Sequence, residues 1–264
     1  MSDLTPKQLE ALEKDLISVA EMQRRILPDA QPAGAFQPFE LFGETLPISI
    51  VGGDFYDFID LDGRFGMEGR MGLVIADAAG HGLAAAMLIR DFNTALYTGI
   101  SFQAHYEQET NPSLFSKINR RMYRSSRTNQ FITCFYAELS REGQLAYINA
   151  GHDSPMLFRG SEVEALETGG PALGAFWKSP VPYEVGRTAL KAGDILVCLT
   201  DGILEAVGED GTEYGRARVE ELVLANRDAS SEELFKLLRD DVERFSTSAG
   251  QTDDRTIAVI RHSE

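Results

Sequence analysis

The first pattern of apolar and polar positions in the chain is a helical one, between residues 4 and 27. One position in three or four falls on the same face, and these positions are Leu9, Leu12, Leu16, Val19, Gln23 and Ile26. Thr5 can cap the helix, Gln8 can complete a capping box, and Pro28 ends it. The spacing fits a coiled coil, so the helix is expected either to pair with a second copy or to pack on its own domain. We assign residues 1–30 to this linker or regulatory helix, and a homodimer would form through residues 4–27.

From residue 36 onwards the pattern changes to short runs, many of which alternate apolar and polar residues. Such runs are typical of half-buried antiparallel strands, and they are FQPFELFGET, GDFYDFIDL, GLVIAD, FITCFYAEL, LAYINAG, PMLFRG, VPYEVGRTAL, DILVCLTDG and RTIAVIR. Amphipathic helices are expected to follow Gly82, Asn111 and Ser230 and to begin at Arg216. Grouped helices and clustered strands favour an α+β fold, with helices packed on antiparallel sheets. We assign residues 31–264 to this second domain.

Composition narrows the classes of function. The chain has 264 residues, and a hydrophobic content of 43% is enough to form a core. A net charge of -16 argues against partners such as nucleic acids and anionic membranes. No apolar stretch is long enough to cross a bilayer, so a cytoplasmic location is expected. Cys134 and Cys198 lie in apolar runs and are expected to be buried free thiols.

Aspartates recur at the ends of the apolar runs. Asp54 follows two glycines, and Asp77 and Asp201 each follow an apolar run. Asp253 and Asp254 precede the last run. If these carboxylates converge, cations must offset their charge. Because no cluster of cysteine and histidine accompanies them, the oxygen donors suit Mg²⁺ or Mn²⁺ rather than Zn²⁺. Two such ions can activate a water and bind a phosphoryl group.

Several segments, in their order and spacing, resemble the metal-dependent PPM phosphatases of the bacterial SpoIIE-like and RsbU-like branch. They are GGDFYDF, ADAAGHG, NAGHDSPMLF, GGPALG, LTDGILEA and DDRTIAVI. The resemblance covers nearly the whole chain and implies a four-layer α-β-β-α sandwich with two central antiparallel sheets. It also implies a protein serine/threonine phosphatase that uses two metal ions, or three. The usual substrate in this branch is a phosphorylated STAS-domain anti-sigma-factor antagonist, and an upstream sensor or activator is expected.

The resemblance also implies roles for individual residues. Asp77 would bridge the two ions, the carbonyl of Ala78 would bind the first, and Asp54 would hold the first ion or its water. Asp201 and Asp253 would bind the second, with Asp254 as the alternative ligand if the final motif is shifted by one residue. Supporting roles around these ligands are expected for His81, Asn149, His152, Gly202, Glu205 and Asp254. For the two histidines we expect imidazole groups that bond to backbone near the site.

Other functions remain open at this point. A cysteine-dependent phosphatase is excluded, because Ser140 and Leu204 stand six residues after Cys134 and Cys198, where that class needs arginine. A phosphatase-like module that only binds a partner or a signal is the main alternative, although none of the metal aspartates is lost. Hydrolysis of a small phosphoester is a further alternative. The general acid is unassigned, because Ala79 stands where eukaryotic relatives carry a proton-donating histidine.

Overall fold

A computed structural model describes residues 5–28, 36–106, 110–125, 130–246 and 251–263. The helices are α1 (Pro6–Arg24), α2 (Leu61–Phe65), α3 (Leu83–Tyr106), α4 (Pro112–Ser125), α5 (Asp201–Leu204), α6 (Gly215–Ala225) and α7 (Ser231–Phe245). The strands are β1 (Phe39–Leu46), β2 (Asp54–Asp60), β3 (Arg70–Ala78), β4 (Ile132–Ser140), β5 (Gln144–Ala150), β6 (Met156–Arg159), β7 (Glu162–Ala165), β8 (Gly169–Gly170), β9 (Gly186–Ala189), β10 (Ile195–Leu199) and β11 (Arg255–His262). The expected boundary between residues 30 and 31 lies outside the described residues.

The strands form two sheets, one in the order β1-β11-β10-β6-β7 and one in the order β2-β3-β4-β5-β8, with β9 also paired to β5. Every pairing is antiparallel except the short parallel pair of β5 and β8. Two central antiparallel sheets are therefore confirmed, with this one exception. Strands β7 and β8 were not predicted from the sequence. The first, EVEA, is largely exposed, and the second consists of two glycines, so neither gives the apolar signal of a buried strand.

Three hydrophobic cores separate four layers. The core between the sheets takes residues from both of them, among them Tyr56, Leu73, Phe135, Leu196 and Ile260. A second core lies between the six-stranded sheet and helices α3 and α4, and includes Val74, Phe92 and Phe115. The third lies between the five-stranded sheet and helices α6 and α7, and includes Val197, Val223 and Leu238. The α-β-β-α sandwich is confirmed, and none of the described helices is both long and apolar enough to cross a membrane.

Helix α1 packs on its own domain through its C-terminal half. The expected capping box of Thr5 and Gln8 is present at its start. Ala20 is buried and packs with Val51 of the loop before β2 and with Ala86 of α3. In the N-terminal half, by contrast, Leu9 and Leu12 are exposed, and so is Ile17 just beyond the middle of the helix. The C-terminal half of α1 therefore packs on its own domain, while the N-terminal half presents an apolar face that no described residue covers.

Candidate metal centre

Asp54 and Asp77 stand directly opposite each other where β2 pairs with β3. Side chains alternate between the faces of a strand, so Asp54 shares a face with Tyr56 and Asp77 shares a face with Ile75. Tyr56 and Ile75 both lie in the core between the sheets. The two carboxylates therefore project into the space between the sheets, at one end of the sandwich. Because like charges directly opposite each other destabilise an antiparallel pair, this arrangement needs positive charge or a proton.

The five-stranded sheet brings two further aspartates to the same end. Asp201 begins the short helix α5 after β10, and Asp253 lies just before β11. The two loops touch, because a Cβ atom on buried Gly202 would lie 1.9 Å from the carbonyl oxygen of Asp254. Only glycine permits this approach, which explains its position after Asp201. Glu205 is exposed just after α5, and its charge contributes to the raised pKa of Asp201.

The pKa values show that these aspartates repel one another. Burial, followed by the charges of Asp54, Asp201, Asp253 and Asp254, raises the pKa of Asp77 to about 9. Burial is also the largest cause that raises the pKa of Asp54 to about 8 and that of Asp201 to about 6. Carboxylates that are both desolvated and close to like charges disfavour their ionised forms. A divalent cation reverses this effect, so the charge distribution fits a metal centre.

The donor chemistry fits Mg²⁺ or Mn²⁺. In the described part of the chain, no group of three or more His, Cys, Asp or Glu side chains is arranged to hold a metal ion by itself. Mg²⁺ commonly keeps several of its waters, so carboxylates that are not in direct contact with the ion can still hold it through those waters. The absence of thiolate and imidazole donors from the acidic cluster makes zinc the poorer fit.

The backbone at the end of β3, and just after it, lies close to Gly53, the residue before Asp54. A Cβ atom on Gly53 would lie 2.9 Å from the carbonyl oxygen of Ala78 and 3.2 Å from that of Gly80. Gly80 and Gly82 have φ angles of 96° and 73°, so they adopt the left-handed conformation in which the chain turns into α3. The bare backbone thus places a carbonyl oxygen beside the carboxylates, where it is available as a ligand. His81 is exposed on this turn, and no hydrogen bond of its side chain to the described residues is found, contrary to expectation.

The two adjacent aspartates before β11 have different environments. Asp254 is buried, and its Oδ1 and Oδ2 atoms accept hydrogen bonds from the backbone amides of Ile48 (2.8 Å) and Gly53 (2.6 Å). Asp253 is exposed, and its Oδ1 accepts a hydrogen bond from the amide of Asp254 at 2.8 Å. Asp254 therefore fixes the loop that carries Asp54, while Asp253 keeps the freer carboxylate. This difference favours Asp253 as the metal ligand of the pair.

Asn149 and His152 form a buried support at the end of β5. The Asn149 side chain accepts a hydrogen bond from the His152 amide (2.8 Å) and donates one to its carbonyl oxygen (3.0 Å). The Nδ1 atom of His152 lies 2.9 Å from the hydroxyl of Thr133, which is the cross-strand neighbour of Asp77 in β4. Burial lowers the pKa of His152 to about 4, so the imidazole is neutral. The histidine thus contacts the site through a threonine side chain.

Two residues that the sequence reasoning missed contact Asp54 directly. Thr200 and Thr256 both donate hydrogen bonds to its Oδ2 atom. In the sequence, a threonine inside or next to an apolar run is indistinguishable from an ordinary strand residue. Their only signal is position, since Thr200 immediately precedes Asp201 and Thr256 follows Asp254 by two residues.

Comparisons with known proteins identify the family of the chain and support its fold. The family described as stage II sporulation protein E (SpoIIE) matches residues 67–263 of the chain. Protein IcfG of Synechocystis sp. is 25% identical over 267 residues, which cover 92% of this chain and 40% of IcfG. Phosphoserine phosphatase RsbU of Bacillus subtilis is 23% identical over 255 residues, which cover 96% of this chain and 71% of RsbU. Among solved structures, the SiaA-PP2C domain of Pseudomonas aeruginosa has a TM-score of 0.79 at 21% identity, covering 98% of this chain and 99% of that domain.

Proposed function

Because this chain belongs to the SpoIIE family, within the SpoIIE-like and RsbU-like branch of the PPM phosphatases, we propose that it is a Mn²⁺- or Mg²⁺-dependent protein phosphatase. Its substrate would be phosphoserine or phosphothreonine in another protein. One observation carries this proposal: aspartates from both sheets meet at one end of the sandwich, and their charges raise one another's pKa.

Each side chain of the centre has a distinct part in the proposed reaction. Asp77 lies among the charges of the other aspartates and would contact both ions. Asp54 and the Ala78 carbonyl would hold the first ion, and Asp201 and Asp253 the second. Bound Mn²⁺ or Mg²⁺ would supply an activated water and would stabilise negative charge on the phosphoryl group.

The proposed substrate is a phosphorylated STAS-domain antagonist of an anti-sigma factor, in the cytoplasm of a bacterium. The name of RsbU, a phosphoserine phosphatase, supports the type of phosphoester. Asp253 is exposed, so a phosphorylated side chain on the surface of another protein can reach the centre. An upstream sensor or activator would then control the reaction. IcfG is longer than this chain, which spans 40% of it. By analogy, the proposed sensor region can belong to a longer protein that contains this chain.

The test is dephosphorylation of purified phospho-STAS proteins with and without Mn²⁺. The wild-type chain is expected to release phosphate only with the metal. Asp77→Asn should lose hydrolysis while keeping the circular dichroism spectrum, because the amide preserves the shape but cannot replace the ionised ligand. Asp91→Asn is the matched control, since Asp91 lies on the outer surface of α3 and pairs with Arg121.

The alternatives give different results in the same assay. A non-catalytic module would bind a partner but release no phosphate from any substrate, with or without Mn²⁺. An enzyme for small phosphoesters would hydrolyse para-nitrophenyl phosphate and leave the phosphoproteins intact. Substantial hydrolysis by Asp77→Asn at saturating Mn²⁺ would show that the assignment of this aspartate is wrong.

A further inference from the structure

Three threonines of the five-stranded sheet lie side by side at the metal-centre end, and we call Thr45, Thr200 and Thr256 the threonine row. Thr45 in β1 is paired in register with Thr256 in β11, and their hydroxyl oxygens are 2.9 Å apart. Thr200 follows β10, and its hydroxyl accepts a hydrogen bond from the amide of Thr256 at 2.9 Å. The alternation of side chains places Thr256 on the face of Ala258, which lies in the core between the sheets. The row therefore faces the six-stranded sheet.

Two members of the row bond the same oxygen of Asp54. The hydroxyls of Thr200 and Thr256 donate to Asp54 Oδ2 at 2.7 Å and 2.6 Å. Both threonines are fully buried, and Asp54 is only 2% exposed. These distances lie in the normal range for hydrogen bonds from a hydroxyl to an oxygen acceptor. These bonds join the two sheets, because Asp54 begins β2 in the opposite sheet.

The direction of each bond follows from the number of protons. A threonine hydroxyl has one proton to donate, and the hydroxyls of Thr200 and Thr256 both donate that proton to Asp54. In the contact between Thr45 and Thr256, Thr45 must therefore be the donor. Asp54 Oδ2 receives two hydrogen bonds, whereas Oδ1 receives none from the residues that the structure describes and so keeps its acceptor capacity. Thr200 and Thr256 thus fix both the orientation of the carboxylate and which of its oxygens is available.

We propose that Thr200 and Thr256 are positioning residues, which hold Asp54 by Oδ2 and thereby reserve Oδ1 for a Mn²⁺ or Mg²⁺ ion. This inference rests on the proposed function. It adds that two threonines of the five-stranded sheet help to determine how tightly the proposed site binds its metal ion. A ligand that is already oriented loses less side-chain freedom when the ion binds. Substitutions of groups that orient a metal ligand typically weaken metal affinity about 10- to 100-fold.

A purely structural role is the rival explanation. The same two hydrogen bonds also satisfy a buried carboxylate, so removing one would destabilise the fold even if no metal were ever bound. Stability alone cannot separate the two roles. The metal affinity of the folded protein can separate them.

The experiment measures Mn²⁺ binding to the full chain by isothermal titration calorimetry. Thr256→Val keeps the side-chain shape but removes the donor, and its dissociation constant should rise about 10- to 100-fold. Thr256→Ser keeps the donor and should restore an affinity close to that of the wild-type chain. Thr45→Val is the matched control, because it removes a hydroxyl of the same row that does not touch Asp54.

Thermal unfolding in chelator and in Mn²⁺ gives a second measurement. A ligand that binds only the folded state raises the unfolding midpoint, and the increase grows with the logarithm of its affinity. The positioning role predicts that Thr256→Val gains less from Mn²⁺ than the wild-type chain does. A structural role predicts an equal loss of midpoint in both conditions, and that result would overturn the inference.

Failure of the inference and failure of the proposed function are distinguishable. If the wild-type chain binds Mn²⁺ and hydrolyses phosphoprotein while Thr256→Val binds Mn²⁺ equally well, the inference alone is wrong. If the wild-type chain binds no Mn²⁺ and releases no phosphate, the proposed function and the inference both fail. Should Thr256→Val not fold, Thr200→Val removes the other donor to Asp54, together with the acceptor of the Thr256 amide, and Thr200→Ser restores both.

Discussion

The side-chain amide of Gln23 on α1 bonds both backbone groups of Gly52, two residues before Asp54. The Nε2 atom of Gln23 donates to the carbonyl oxygen of Gly52 at 2.7 Å, and the Oε1 atom accepts from its amide at 3.1 Å. The next amide, that of Gly53, donates to Asp254 at 2.6 Å. Buried hydrogen bonds thus connect the N-terminal helix to the loop that carries Asp54. Movement of α1 would be transmitted to the proposed metal ligand.

Gln23→Ala is therefore expected to weaken both the fold and the metal centre. It removes two buried hydrogen bonds and leaves the polar groups of Gly52 without these partners, which should cost about 1–3 kcal/mol of unfolding free energy. Urea unfolding measures the loss, and Mn²⁺ titration should show weaker binding. Met22→Ala is the control, because Met22 is exposed on the same helix. An equal effect of both variants would indicate that helix propensity, not the bond to Gly52, is responsible.

The exposed face of α1 is expected to pair with a second copy of the chain. Val19 and Gln23 are engaged with their own domain, so the paired face would use exposed Leu9 and Leu12 together with half-buried Leu16. Burying such side chains contributes roughly 1.5–3 kcal/mol each. The double substitution Leu12→Asp and Leu16→Asp should give a monomer by light scattering and an altered phosphatase rate. A wild-type chain that is monomeric at tens of micromolar would refute the pairing.

The stability of the metal-free protein is expected to fall as the pH rises. Because the folded pKa of Asp77, about 9, lies above its ordinary value, the folded state binds more protons than the unfolded state does. The unfolding free energy therefore decreases as the pH rises from about 5 to 8. Urea unfolding in chelator measures this slope. Asp77→Asn should reduce the slope, with the raised pKa values of Asp54 and Asp201 accounting for the remainder, and should be more stable than the wild-type chain at the higher pH. An unchanged slope would contradict the assignment.

Hydrolysis is expected to depend on metal and not on thiols. Cys134 and Cys198 are free and fully buried, and burial raises the pKa of both thiols. They are thus neutral and inaccessible, which makes them unsuited to nucleophilic attack. A chelator should abolish phosphate release, Mn²⁺ should restore it, and an alkylating reagent should leave it unchanged. An enzyme that resists the chelator but is blocked by alkylation would contradict the metal-centre proposal.

Local patterns in the sequence were sufficient for most of the elements, though not for β7 and β8, and for the chemistry of the donors. The alternation in GLVIAD predicts a strand because its two faces contact different layers, with Ile75 between the sheets and Val74 under α3. The same alternation places Asp77 on the face of Ile75. The residue types alone, carboxylates without thiolates, indicate the class of cation. These features depend on neighbours along the chain, so they can be read from the sequence.

The sequence by itself determined that α1 has an apolar face and that two adjacent aspartates precede the last strand. Only the tertiary structure decided that Gln23 forms hydrogen bonds with Gly52, that the Asp254 carboxylate accepts hydrogen bonds from two backbone amides, and that two threonines donate to Asp54. The physical reason is that periodicity shows which face of an element is buried but not what covers it. The hydrogen-bond partners of Asp54 are 146 and 202 residues away along the chain, and only the packing of the two sheets brings them together.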